Sequence, residues 1–526
     1  MEPYDLFWGE THDNTYQFSE MPFPLEASVR RARAHLDFYA AAYYTASAEA
    51  FRPGGHLSEQ AEVTQIPLEG WKPSEQLHRE WAEVNDVTRS CNAPGEFVTF
   101  PGYEWQGNGS SGDHNVIARQ EGLPLFEVDT LAELYDRLRD HTALAIPHHV
   151  GYRAGVRGRD WSVMDETLSP FCEIFSVHGC SETDEEWIGL RNNPHMGPGT
   201  GGSTWEDALQ RGWHLGAICS TDNWGAMPGH FGRGRMACLA EELTRESLWE
   251  AFCARRVYGV TGDRIELDFT LDGQPMGSIL QGSDIRKIRV NVRGSDAIDR
   301  IELLRNGRVI ATHCHQGTWS IPPSGRRHRF KLRIEAGWGP RRGELPARSH
   351  SWEGKLHIKD GRIQGTEPCW VSPGQGTPRV DGDTATFTFL TPVDLPEYWH
   401  NADVFEFDAD PGSPVRIQMN ERQAEATAAE LAQGSRELWY KDECVSLLAR
   451  HAGIEPYSPE RMDVYHHLAY KVKIHRAIPE AGYTASLDVD DDEPLCGETH
   501  YRVRVEQRNG QRAWSSPIWV QPSARS

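Results

Sequence analysis

Short apolar runs alternate with amphipathic stretches through the first half of the chain. The runs are "LFWGETH", "LDFYAAAYY", "EFVTFPGYEW", "TALAIPHH", "CEIFSVHG", "HLGAICSTD" and "RMACLAEE". Between them the period changes to that of a helix. "TLAELYDRLRDH" follows Asp129 and Thr130 and repeats Leu131, Leu134 and Leu138. "TRESLWEAFCARR" starts at Thr244 and sets Leu248, Phe252 and Cys253 on one face. Strands alternating with helices predict parallel β/α units, and seven such strands are enough to close or nearly close a barrel. In that architecture the chemistry sits where the strands end.

The pattern changes near Ile265. "IELDFTLDG", "IRKIRVNVRG", "RIELLRNGRVIATHC" and "HRFKLRIEAGW" are short alternating runs broken by Gly and Asn, as in a β-sandwich. The expected division is a barrel over 1–265 and a β-rich, sandwich-like region over 266–526, with room for two subdomains. "NERQAEATAAELAQ" reads as a helical interruption and "GYTASLDVDDDEPLCGE" as a surface loop.

The ends of the barrel strands carry the candidate chemistry. The first ends in Glu10, His12, Asp13 and Asn14; the third in Glu104; the fourth in His148 and His149. The fifth ends in His178, with Glu173 inside the strand, and the sixth in Asp222. Carboxylates suit hard divalent ions and imidazole borderline ones, so the mixed set points to one or two ions of Mn, Zn or Fe. Of the two adjacent histidines, the register favours His148 facing the barrel axis, and His149 packs or meets substrate.

Composition narrows the class. Net charge is −23, which weakly opposes nucleic acid or an anionic membrane as partner. No apolar run approaches the length of a membrane span. "MEPYDLFWGE" lacks the basic start and apolar core of an export signal, so the expected location is cytoplasmic and the 10 scattered cysteines are expected to be reduced. "GPGTGGS" lacks the Lys-Ser/Thr of a phosphate-binding loop and reads as a loop over the barrel mouth, with "MPGHFGRGR" as a second rim loop.

Taken together, "FWGETHDNT", "PGYEW", "IPHH", "EIFSVHG", "STDNW" and "RRVYGVTGDRI" resemble the PHP (polymerase and histidinol phosphatase) superfamily, which includes metal-dependent phosphoesterases. The chain is more closely similar to a PHP-related bacterial family of unknown function with a β-rich tail, whose ending "AWSSPIWV" resembles. The resemblance implies a distorted seven-stranded, TIM-like β/α barrel with up to three metals. It implies His12, Glu104 and Asp222 on one ion, and Glu104, His148 and His178 on another, with Glu104 bridging. The chain departs from that pattern at Asn14, at Tyr43 and Tyr44, and at Trp224. These departures remove ligands of one metal and put aromatic surface in their place, which favours a substrate with a ring or apolar group.

Several other residues have both a functional and a structural reading. Asn14 is a ligand through its carbonyl or a supporting donor. His114 in "GDHNV" is a proton carrier or a packed histidine, and Tyr44 an acid or a core residue. Arg153 in "GYRAG" meets an anionic substrate or lies in solvent. Asp13 suits an Asx turn, Glu173 orients a ligand or forms a salt bridge, and Arg264 closes the mouth or pairs with Asp263. The function expected is hydrolysis of a small-molecule phosphoester or related ester by metal-activated water. Two alternatives stand beside it: a degenerate barrel that binds a ligand or glycan, and a metal-assisted lyase or glycoside-cleaving enzyme. The β-rich region has three available roles: covering the barrel mouth, pairing subunits of a homo-oligomer, or bracing the fold.

Overall fold

The structure is a computed structural model. It describes residues 4–16, 24–45, 72–185, 188–191, 196–223, 227–315, 319–339, 349–392 and 400–522. Trp224 lies outside them.

The fold is mixed α/β, rich in strands and poor in helices. Among the described residues, eleven strands make up the N-terminal part: β1 (Asp5–Thr15), β2 (Phe38–Tyr44), β3 (Val98–Phe100), β4 (Gly102–Trp105), β5 (His114–Ala118), β6 (Ala143–Pro147), β7 (Phe171–Ser176), β8 (Gly179–Cys180), β9 (Gly216–Cys219), β10 (Arg235–Ala240) and β11 (Val257–Val260). β1 pairs in parallel with β2, and β2 in parallel with β3 and β4. The ladder then turns antiparallel through β5 to β6, and on the other side β1 meets β10 antiparallel. β7 and β9 pair in parallel in a separate small sheet with β8.

This departs from the seven parallel β/α units expected. "HNVIA" inserts as β5 by hairpin-like pairing between two strands read as neighbours, so the ladder is not that of a parallel TIM-type barrel. The two sheets are still stitched together at the strand ends. Asn14 N–H donates to Asn223 O at 2.8 Å, Thr221 Oγ1 donates to His12 O at 3.1 Å, and Ala145 N–H reaches Leu168 O just before β7. Gly102 is required where β2, β4 and β5 crowd. A Cβ there would lie 2.4 Å from Ala41 O and 2.8 Å from Val116 O.

Helices form where capping and period agree. Leu131–Leu138 opens on a reciprocal Thr130–Glu133 capping box and buries Leu131, Leu134 and Leu138. Arg245–Cys253 is capped by Thr244 and buries Leu248 and Phe252, but leaves Cys253 exposed. All ten cysteines are unpaired. No helix among the described residues is long and apolar enough to cross a membrane.

The C-terminal part is β-rich. Strand Arg512–Ser515 pairs antiparallel with β11 and with Thr499–Gln507, which in turn pairs with Ile298–Arg305. Tyr258 and Val260 of β11 share a hydrophobic core with Leu267, Phe269, Tyr501 and Ile518. The described strands between His328 and Ile474 form two further sheets packed through Phe330, Trp352, Phe387, Phe405 and Phe407.

Two local expectations change here. "TASLDVDD" is strand Thr484–Asp491, paired along Arg286–Arg293, because its alternation gives it one half-buried face. The expected helix after Asn420 begins only at Ala428, behind strand Arg422–Thr427.

Asp263 joins the parts. Its carboxylate accepts from Arg333 Nη2 at 2.6 Å, Gln507 Nε2 at 2.7 Å and Asn509 Nδ2 at 2.6 Å, and it is buried. Arg264 bonds His35 O at 2.6 Å instead of pairing with Asp263. "MPGHFGRGR" is a strut rather than a free rim loop: Gly229 N–H bonds Glu10, and Phe231 N–H bonds Trp370 O. Burial works against the Asp263 charge, but Arg333 and the amide donors outweigh it and hold its pKa below the ordinary carboxylate value. The stabilisation is therefore complete above that ordinary value and is lost as pH falls toward the folded-state pKa. Asp263→Ala leaves Arg333 buried without its partner and is expected to cost about 3–5 kcal/mol. Urea unfolding checks this. The variant should also lose less stability than the wild type between neutral pH and strong acid.

Candidate metal centre

The strand ends bring His12, Glu104, His148, His149, His178 and Asp222 into one buried cluster. Donor atoms within 4.8 Å of one another form four overlapping groups. They are His12–Glu104–His148, Asp113–His148–His149, His149–His178–Asp222 and His12–Glu173–Asp222. His12 Nε2 lies 3.6 Å from Glu104 Oε2 and 3.3 Å from Asp222 Oδ1. His148 Nε2 is 3.8 Å from Glu104 Oε1, and His178 Nε2 is 3.1 Å from Asp222 Oδ2. Both adjacent histidines face the cluster. His149 does so from a backbone with φ 35° and Asp222 from one with φ 48°, left-handed conformations that non-glycine residues rarely adopt. His178 groups with His149 and Asp222 rather than with Glu104 and His148.

Supporting contacts set which imidazole nitrogen faces inward. His12 Nδ1 lies 2.8 Å from Glu173 Oε2, which holds a proton on Nδ1 and leaves Nε2 as the nitrogen that a cation would take. Tyr152 donates its hydroxyl hydrogen to Arg191 O at 3.1 Å and accepts from His178 Nδ1 at 2.9 Å, which likewise frees His178 Nε2. Gln106 Nε2 donates to Glu104 Oε1 at 2.7 Å and Asn14 Nδ2 to Asp222 Oδ1 at 3.1 Å. Asn14 therefore stands as a donor to a candidate ligand. Glu10, beside His12 in the chain, accepts from the backbone N–H groups of His12, Thr221 and Gly229 and staples three segments together.

The donors fit a divalent cation. Among the described residues, His12 Nε2, Glu104 Oε2, Asp113 Oδ1, both His148 nitrogens, His149 Nδ1 and Asp222 Oδ2 are buried without a hydrogen-bond partner. Burying such atoms unpaired is costly, and so many in one place indicates a missing positive partner. The protonation pattern agrees. Burial opposes charging His12, yet Asp222 and Glu173 overcome it and raise its pKa well above the ordinary value. Burial, then the cationic forms of His12 and His149, pushes His148 well below it. A proton on His12 and a divalent cation answer the same electrostatic need.

Other candidates fall outside the cluster. His114 packs between the rings of Trp105 and Tyr135 with Nδ1 3.0 Å from Gly112 O. Arg153 is exposed. Tyr44 is buried opposite Glu104 in the β2–β4 register, and its phenol is kept protonated by burial and by Glu104. Tyr43 points the other way and bonds Glu80. Asp13 accepts from Tyr39 at 3.1 Å. Two residues of the cluster carried no strand-end signal, Asp113 and Arg157. The only hint was their polarity in loops flanking β5 and β6.

These donors define the class: a buried His/carboxylate centre of the kind that holds divalent metal. No family model matches the chain. A stretch of 256 residues is 26% identical to an uncharacterized protein of Chlamydia pneumoniae, covering 44% of this chain and 40% of that protein. An uncharacterized protein of Chlamydia muridarum is 26% identical over 206 residues, 36% of this chain and 32% of its own length. The matched stretch thus spans less than half of either curated relative. A solved two-domain protein of Bacteroides vulgatus, described as containing a predicted PHP-like metal-dependent phosphoesterase, is 12% identical with a TM-score of 0.32. That match covers 58% of this chain and 80% of the other. At that similarity the chemistry has to be read from the donors themselves.

Tyr152→Phe removes the acceptor that orients His178 and is expected to weaken metal affinity by about 10–100-fold without unfolding the protein. Competition against a chelator, with circular dichroism as the folding control, measures it.

Proposed function

We propose that the chain is a metal-dependent hydrolase of small phosphoesters or related esters. The observation that carries this is the set of inward-facing, unpartnered donors on His12, Glu104, His148 and Asp222, joined by His149 and His178. A divalent ion of the Mn, Zn or Fe type held there supplies Lewis acidity and makes water nucleophilic near neutral pH. The chain's own residues do the rest. Glu173 and Tyr152 hold two imidazoles in the metal-binding tautomer, and Gln106 and Asn14 fix the two carboxylates. His178 and Asp222, 8% and 5% exposed, form the solvent edge from which a substrate approaches; His12 and His148 are sealed at 0% and 1%. Tyr44 adds an apolar ring and a protonated hydroxyl beside Glu104.

Ligand binding without turnover is the second reading, and the depth of the inner donors favours it. A panel of phosphomonoesters, phosphodiesters and carboxylic esters, assayed with each metal, separates the two. Glu104→Gln is expected to lower kcat by more than about 100-fold, beyond the cost of losing a supporting partner. Purified protein without stoichiometric metal, together with a Glu104→Gln variant as active as the wild type, overturns the hydrolase. Stoichiometric metal with no turnover across the panel supports the binding protein.

A further inference from the structure

We propose that Arg157 is a built-in cation that closes the Asp113–His148–His149 group to metal and limits the centre to two ions. The proposal rests on the metal-centre reading above and goes beyond it, because it assigns a role to a residue that binds no metal.

Arg157 follows β6 in "GYRAGVRGRD" and turns inward where Arg153 turns out. Its backbone has φ 64°, and its N–H bonds Gly109 O at 2.7 Å. An arginine held in a left-handed conformation, with its side chain buried among ionisable groups, is a strained and costly placement that calls for a reason. Its guanidinium grips Asp113 Oδ2 through Nε at 2.8 Å and through a close Nη2 contact. The same oxygen lies 3.5 Å from His149 Nε2. Nη2 also stands 3.9 Å from Glu104 Oε1.

Two consequences follow. The only carboxylate of the Asp113 group already carries a permanent countercharge on Oδ2, and a divalent ion approaching its unpartnered Oδ1 would meet that charge at close range. Glu104 is polarised as well: Oε1 faces Arg157 and Gln106, while Oε2 is left unpartnered toward His12. Of the three remaining groups, His12–Glu173–Asp222 takes one residue from each of the other two, and its Glu173 is already bonded to His12 Nδ1. His12–Glu104–His148 and His149–His178–Asp222 share no residue and lack a guanidinium contact on their carboxylates as close as that on Asp113. The two independent groups account for two ions.

The test is metal stoichiometry of the full chain, loaded with Mn2+ or Zn2+, dialysed and measured by elemental analysis and anomalous diffraction. Wild type should hold no more than two ions, Arg157→Met one more per chain, and Arg157→Lys the wild-type number. A folded Arg157→Met protein with an unchanged count overturns the proposal, as does an ion bonded to Asp113 in the wild type. Should Arg157→Met fail to fold, Asp113→Asn decides: the count should stay at the wild-type value, and loss of an ion makes Asp113 a ligand and overturns the proposal. Wild-type protein that binds no metal at all overturns the metal-centre reading instead.

Discussion

Four carboxylates and four imidazoles buried in one place are the constraint on which the N-terminal part depends. Charges of that density are unstable in a low-dielectric interior unless each is answered. Arg157 answers Asp113 at Oδ2, and His12 answers Glu173 at Oε2. The inward atoms of His12, Glu104, His148 and Asp222 have no such answer from protein, and this points to a cation. Strain at His149, Arg157 and Asp222 shows the backbone bent to bring these groups together.

Holding that arrangement requires a stiff frame, and the β-rich region contributes to it. Strand Arg512–Ser515 extends the sheet from β11, and Asp263 gathers donors from Arg333 and Gln507 of the β-rich region. Behind the His178 turn, Arg502 and Trp514 bind the buried Glu182 carboxylate. Glu10, Gly229, Phe231 and Trp370 link β1 to the β-rich region through one strut. Of the roles open to this region, bracing is the one these contacts describe.

Much of the candidate centre was legible along the chain because it depends on local rules. An apolar run that stops at a polar residue reads the same in sequence and in space, and so do the helices that follow Thr130 and Thr244. What was hidden depends on pairing between distant segments. β5 became a strand because β4 and β6 offered it edges on both sides. Thr484–Asp491 became one because Arg286–Arg293 did.

The sequence by itself determined which residue types end the strands, and hence that His12, Glu104, His148, His178 and Asp222 belong to one chemistry. Tertiary structure decided how they group. It turned both His148 and His149 inward, made Asn14 a donor to Asp222, and chose Arg157 over Arg153. Each of those choices turns on a backbone torsion or a partner more than a hundred residues away, and no local pattern encodes either.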